Sequence, residues 1–363
     1  MNMFSKPKDL LVIAGGGTGG HVMAGIAIAD RWRAQGLGDV LFVGARGGIE
    51  EKLVPRAGYE LSLLKIGTLK GADTKQQIKT LLQIPFAFAE SLRILIQNRP
   101  RAVLGVGGYA SGPFVLMAAF IGRFLGCRVA ILEQNAMPGF TNKILGSVAH
   151  RVYSAFPGLE RHFAGSHVMV SGNPVRKEFK PMDAAQRDPF EIFIFGGSQG
   201  AKGINDLVLA SLPLLKDSWD KIRIHHQTGD REFDRVQAAY QALGFSAQVE
   251  KFVYEMKESY QKASLVICRS GSSSLSELAS VGRASFLVPF PYAADNHQEL
   301  NARLFEKNGS ARVYLQNSTR PEEFAKGIRE LIDNQSLLGE MESKVKSFAR
   351  PDSDGLIVKD LIQ

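Results

Sequence analysis

The chain has 363 residues, 45% of them hydrophobic, with 44 Lys and Arg against 36 Asp and Glu for a net charge of +8. That length supports two domains of ordinary size and that composition excludes a disordered or fibrous chain. Residues 1–170 carry 19 Lys and Arg against 10 Asp and Glu, the remainder 25 against 26, so an anionic partner belongs to the first half.

In chain order, Leu10–Ile13 reads as a buried strand running into Gly15, Gly16, Gly17, Thr18, Gly19, Gly20 and His21. Ile26, Ile28, Ala29 and Trp32 then give a helical apolar pattern. The N-terminal apolar run continues into the glycine loop, so it reads as a first strand and not as a signal peptide. Strand, glycine loop and helix together aim backbone N–H groups and a helix N-terminus at an anion. Gly15, Gly17 and Gly20 match the dinucleotide fingerprint by letter. The second strand, Val40–Val43, is followed by Gly44, Ala45 and Arg46, with no carboxylate to hold a ribose. Nicotinamide chemistry is therefore disfavoured.

The segment Lys75–Arg101 carries a broad apolar face of Ile78, Leu81, Leu82, Phe86, Leu92, Leu95 and Ile96. Lys70, Lys75, Lys79, Arg93, Arg99 and Arg101 flank it. Two readings stand: a core helix kinked at Pro85 with solvated flanks, or a segment resting on an anionic membrane surface. The longest apolar run, Phe114–Gly122, is far short of the roughly 20 residues that a spanning helix needs. A further strand from Val103 ends in a glycine-rich turn containing Gly107, Gly108 and Tyr109, which serves either as a tight turn or as one wall of a substrate cleft. Val129–Leu132 leads to Glu133, Gln134 and Asn135, which read equally as a cap or as ligands for sugar hydroxyls. Alternating strands and helices predict an α/β fold with a doubly wound parallel sheet.

Residues 171–189 are rich in Pro and charge and read as a linker. The plan then repeats. Phe190–Phe195 runs into Gly196–Gly203, which is not a Walker loop because no Gly-Lys-Ser/Thr closes it. Ser198 there is placed either to donate to a phosphate or to shape the turn. Leu265–Cys268 runs into Arg269 and a serine-rich helix start, where Ser274 and Glu277 have the spacing of a capping box. The same start also suits a diphosphate cradle. Phe286–Pro291 forms a last strand before residues 293–302 open a helix. Cys127 and Cys268 have neither disulfide nor metal spacing, and a cytoplasmic compartment is expected. No nucleic-acid module accompanies the basic charge, no metal cluster is visible, and no cofactor is expected.

Seven motifs taken in order resemble one family. They are GGGTGGH at 15–21, GVGGYASGP at 105–113, EQN at 133–135, GNPVR at 172–176, GGSQGA at 196–201, CRSGSSSLSE at 268–277 and DNHQELNA at 295–302. The chain is similar to the MurG family of N-acetylglucosaminyltransferases. The resemblance implies the GT-B fold, two Rossmann-like domains (1–170 and 190–345) with an interdomain cleft, and a final helix within 346–363 that crosses back to the first domain. It also implies transfer of N-acetylglucosamine, with inversion, from UDP-GlcNAc to the 4-hydroxyl of the muramoyl sugar of lipid I. The product is lipid II for peptidoglycan, made at the cytoplasmic face of the bacterial inner membrane by a peripheral enzyme.

Carried over residue by residue, Thr18, Gly19 and Gly20 line the sugar and phosphate path. Asn135 and Gln298 hold hydroxyls of the transferred sugar, and Arg176 and Ser198 serve the nucleotide and its phosphates. The backbone at Val253 reads the uracil edge. Ser272, Ser273, Ser274, Leu275 and Ser276 cradle the phosphates, and Glu277 takes the ribose. Gly107, Gly108 and Tyr109 lie on the acceptor side. The chain departs from the family in lacking a proline shortly after His21 and in having Leu132 where a histidine often precedes EQN. His21, at a helix start whose dipole disfavours imidazolium, is expected to be the base, with Glu133 as the competing candidate. A UDP-sugar epimerase or hydrolase on the same fold and a non-catalytic nucleotide-sugar-binding membrane scaffold are the alternatives.

Overall fold

A computed structural model describes residues 9–67, 74–163, 167–183 and 187–363, and of residues 74–79 the backbone alone. The chain divides into two compact units, Met1–Arg176 with Arg350–Gln363, and Lys177–Ala349.

In the first unit seven strands form one sheet: β1 (Leu11–Gly15), β2 (Val40–Ala45), β3 (Glu60–Leu64), β4 (Ala102–Gly107), β5 (Arg128–Glu133), β6 (Arg151–Ser154) and β7 (Val168–Val170). Their order is β3-β2-β1-β4-β5-β6-β7 and the paired neighbours are parallel. The runs are apolar because both sheet faces are covered. Leu11 and Ile13 of β1 enter one hydrophobic cluster, while Val12 and Ala14 enter the other.

The last helix, Ser353–Leu361, belongs to this unit and packs on the helix Gly19–Ala34. Arg31 of that helix pairs with Asp352 and, at 3.0 Å, with Asp354. Asp360 accepts from Arg151 at 2.9 and 3.0 Å and from the Tyr153 hydroxyl at 2.7 Å.

The helix Thr74–Asn98 is continuous through Pro85, whose missing N–H leaves the Leu81 carbonyl without its helical donor. The two sequence readings of this segment divide along its length. Ala87, Ser91, Ile94 and Leu95 are buried, whereas Leu81, Leu82 and Phe86 (71% exposed) face solvent. Lys70 and the side chains of Lys75, Ile78 and Lys79 lie outside the described residues. The helix Ser111–Phe120 packs beside it and leads to a further exposed group, Phe120, Ile121, Phe124 (86% exposed) and Leu125, interleaved with exposed Arg123.

The second unit has six strands: β8 (Phe190–Phe195), β9 (Ile222–Gln227), β10 (Gln248–Glu250), β11 (Leu265–Cys268), β12 (Ser285–Leu287) and β13 (Ala311–Val313). Their order, β10-β9-β8-β11-β12-β13, repeats that of the first sheet, again with parallel pairing. Ile192 and Ile194 face the main cluster of this unit, and Phe193 on the opposite face meets Phe195, His225 and Tyr260.

Candidate functional site

In a doubly wound sheet, loops diverge to opposite faces where the strand order reverses, and a crevice opens beyond the strands' carboxyl ends. The reversals lie between β1 and β4 in the first unit and between β8 and β11 in the second. The glycine turns leave the sheets there.

In the first unit Thr18 is the N-cap of the helix Gly19–Ala34, and its Oγ1 accepts the His21 N–H at 3.3 Å. Gly19 and Gly20 are the first helical residues, whose N–H groups have no partner within the helix. The His21 Nδ1 lies 3.0 Å from the Gly16 carbonyl oxygen. A carbonyl only accepts, so this bond puts the ring hydrogen on Nδ1 and the lone pair on Nε2. The turn after β4 closes against this loop. Gly107 (φ +100°) would place a Cβ 3.0 Å from the His21 ring, and Gly108 (φ +87°) one 2.4 Å from the Gly16 oxygen. Close approach to the histidine loop thus accounts for both glycines without an acceptor. Tyr109 beside them is half-buried.

One N–H of the glycine loop is taken by a carboxylate of the chain itself. Glu50 is 1% exposed, and its carboxylate accepts the Gly17 N–H and the Ala45 N–H, each at 2.9 Å. Sequence reasoning missed it because the search for an acid after β2 stopped at Arg46. The signal available was a glutamate framed by Gly44, Gly47 and Gly48.

Glu133 ends β5 and is 2% exposed. Its oxygens accept the Asn135 N–H (2.9 Å), the Gly139 N–H (3.2 Å), the Asn142 amide (2.8 Å) and the Asn135 amide (3.3 Å). Burial pushes its pKa up against the opposing pull of those donors. Four donors fill the lone pairs of a carboxylate, which is the geometry of a loop anchor that presents Asn135. Leu132, the departure from the family pattern, is fully buried in the core.

In the second unit, Gly197 (φ +85°) and Gly200 (φ +72°) shape the turn after β8 and leave Ser198 exposed. A Cβ on Gly200 would lie 1.9 Å from the Thr228 oxygen, so only glycine fits. The Val253 N–H donates to Gln227 Oε1 at 3.2 Å, and Gln227 Nε2 donates to the Gly197 carbonyl at 2.7 Å. Gln227, also missed from sequence, therefore ties the glycine turn to the Val253 backbone.

The helix Ser272–Val281 begins after Gly271, an N-cap that makes no side-chain bond. Ser274 is the third helical residue, so the expected capping box with Glu277 does not form. The helix places the N–H groups of Ser272, Ser273 and Ser274 at its open end. Two residues of the expected cradle are otherwise engaged. The Leu275 N–H donates to the Gly271 carbonyl with its side chain fully buried, and the Ser276 hydroxyl donates to the Ser272 carbonyl at 2.8 Å. Glu277 accepts from the Tyr260 hydroxyl at 3.0 Å.

Arg269 braces the start of the loop through the Val288 and Pro289 carbonyls and Gln316, and burial lowers its pKa to about 10. Gln298 accepts the Phe290 N–H with Oε1, leaving Nε2 as its donor. Arg176 is the last residue of the first unit before the chain passes to the second. Among the described residues, no three His, Cys, Asp or Glu are grouped to hold a metal ion.

The model of the glycosyltransferase family 28 N-terminal domain matches residues 11–154, and that of the C-terminal domain matches residues 191–356. The chain belongs to glycosyltransferase family 28. Two relatives in this family carry the name UDP-N-acetylglucosamine--N-acetylmuramyl-(pentapeptide) pyrophosphoryl-undecaprenol N-acetylglucosamine transferase. That of Citrifermentans bemidjiense is 40% identical over 97% of this chain and 99% of its own. That of Myxococcus xanthus is 42% identical over 94% of this chain and 90% of its own. The crystal structure of Acinetobacter baumannii MurG superposes with a TM-score of 0.79 at 31% identity, over 97% of this chain and 99% of that one. The UDP-GlcNAc 2-epimerase of Neisseria meningitidis, at 13% identity and a TM-score of 0.68 over 98% of this chain and 99% of that one, shares the fold of this family 28 chain alone.

Proposed function

We infer that the chain is the inverting transferase that moves N-acetylglucosamine from UDP to the 4-hydroxyl of the muramoyl sugar of lipid I, giving lipid II. The observation that carries this reading is the 40% identity, over 97% of the chain, with a protein named for that transfer.

The acceptor oxygen forms a bond to the anomeric carbon from the face opposite the leaving group, and the bond from that carbon to the UDP oxygen breaks. The electron pair of the broken bond departs on the diphosphate. His21 Nε2 takes the proton of the acceptor hydroxyl, because Nδ1 already carries the ring hydrogen.

Asn135, oriented by Glu133, and the Nε2 of Gln298 hold hydroxyls of the transferred sugar. The Val253 carbonyl accepts from uracil N3–H, and Glu277, steadied by Tyr260, takes the ribose hydroxyls. The N–H groups of Ser272, Ser273 and Ser274 with Ser198 receive the diphosphate. A helix terminus supplies at most ~2 kcal/mol, about thirtyfold in rate. Arg176 and the backbone donors add the remainder of the stabilisation. Thr18, Gly19 and Gly20 line the sugar and phosphate path, and Tyr109 lies on the acceptor side.

The exposed apolar side chains of the first unit with their basic neighbours support peripheral attachment to an anionic membrane, at its cytoplasmic face. The basic charge of that half then serves a lipid surface and not nucleic acid. Among the described residues no helix is long and apolar enough to cross a membrane.

The test is release of UDP from UDP-GlcNAc with and without a lipid I analogue. Acceptor-dependent release with an inverted linkage supports transfer. Release without acceptor indicates a hydrolase.

A further inference from the structure

One peptide group, Gly16–Gly17, is held at both ends. Its N–H, from Gly17, donates to Glu50 Oε2 at 2.9 Å, and its carbonyl, from Gly16, accepts from His21 Nδ1 at 3.0 Å. A peptide is planar and trans, so fixing the direction of its N–H fixes that of its carbonyl. Both flanking residues are glycines, at φ +159° and +79°, and a glycine pair offers little steric resistance to rotation of the plane between them. Rotated by half a turn, the group would present an N–H to His21 Nδ1. The ring would then carry its hydrogen on Nε2 and could accept nothing there.

The surroundings of Glu50 are arranged to leave it this position. A Cβ on Gly16, Gly44 or Gly48 would come within 2.2, 2.6 and 2.3 Å of its side chain. The second carboxylate oxygen is anchored by the Ala45 N–H at the end of β2. At 1% exposure no water competes for the carboxylate, and in that setting a hydrogen bond to a charged acceptor polarises the next one in the chain.

We propose that Glu50 is a positioning residue for the transfer reaction: it holds the Gly16–Gly17 peptide with its carbonyl toward His21 and so selects the tautomer whose Nε2 accepts the proton. The inference rests on the reading of His21 as the base. Carboxylate, peptide and imidazole form a relay in which a backbone group stands between the acid and the histidine. Glu50 itself touches no substrate.

The test reads the His21 tautomer by 15N NMR of histidine-labelled full-length protein, with the signal assigned by its loss in His21→Gln. Two variants disturb the relay by different routes. Glu50→Gln keeps the shape but turns an NH2 toward one of the two backbone N–H groups. Gly48→Ala keeps the charge and pushes the carboxylate aside. The proposal expects the wild type to carry its hydrogen on Nδ1 and both variants to gain Nε2–H form. It also expects kcat to fall about tenfold or more, part of the ~10²–10⁴ that a general base supplies, with the KM for UDP-GlcNAc within about twofold.

A wild-type ring protonated on Nε2 overturns the proposal without recourse to either variant. So does a fall in kcat in a folded variant whose tautomer is unchanged, because Glu50 would then act on structure alone. A shifted tautomer with unchanged kcat overturns the base role of His21 and with it any part of Glu50 in the transfer, leaving only the hydrogen-bond relay, which separates the two readings.

Discussion

His21 owes its proposed chemistry to one carbonyl, since an imidazole accepts a proton only through the nitrogen that its other hydrogen bond leaves with a lone pair. Replacing His21 by Ala removes the proton acceptor and leaves the second unit's glycine turn and serine helix intact. Steady-state kinetics are expected to show kcat lowered by about 10²–10⁴, with UDP affinity by calorimetry changed less than about threefold. Equal losses in both would make His21 a ligand and not a base. The histidine, the glycine loop and Asn135 were legible in sequence because each follows an apolar strand closely. Glu50, Gln227 and Tyr260 were not, since their partners lie on other elements, and Asn142 was not, since it reaches Glu133 over an intervening loop; nothing in local spacing announces them. The bonds that engage Ser276, Leu275 and Glu133 were not legible either. Which hydroxyl or carboxylate is already engaged depends on partners one helical turn or one loop away.

At the scale of elements, the docking of the last helix carries a pH dependence. Burial raises the Asp360 pKa, but the hydrogen bonds from Arg151 and Tyr153 and the neighbouring positive charge outweigh it, and the net shift is downward from 3.8. A depressed carboxyl contributes stability that is present above its unfolded pKa and is lost as pH falls through its folded one. Protection of the amides of Ser353–Leu361 from hydrogen exchange is therefore expected to hold above about pH 4 and to fall on further acidification. Asp360→Asn is expected to cost about 2 kcal/mol in denaturant unfolding at pH 7 and to flatten that acid limb.

Sequence periodicity drew one apolar face along the helix Thr74–Asn98, but periodicity does not say where along its length the covering layer ends. Phe124 was missed because its residues follow a helix and show no period of their own. Phe86→Ser with Phe124→Ser removes two exposed rings, each worth about 1.5–3 kcal/mol on full burial. Sedimentation with phosphatidylglycerol vesicles is expected to show binding weakened by tenfold or more. High salt is expected to weaken wild-type binding as well. Unchanged binding in the double variant would place the membrane contact elsewhere.

For the whole molecule, two units repeat one strand order, and in each the reversal of that order coincides with a pair of small-residue turns. This much was readable directly, because buried parallel strands are continuous apolar runs and their loops need glycine. Function was readable for a different reason: seven motifs in order are specific where any single glycine loop is not. What the seven motifs bear on is glycosyl transfer to a lipid-linked acceptor. The measurement that meets it most directly is incubation with UDP-GlcNAc radiolabelled in the sugar and a lipid I analogue, in EDTA, following label into the lipid fraction. Label is expected in the lipid, dependent on the acceptor and lost in His21→Ala. Label recovered only as free sugar or as an epimerised UDP-sugar would contradict it.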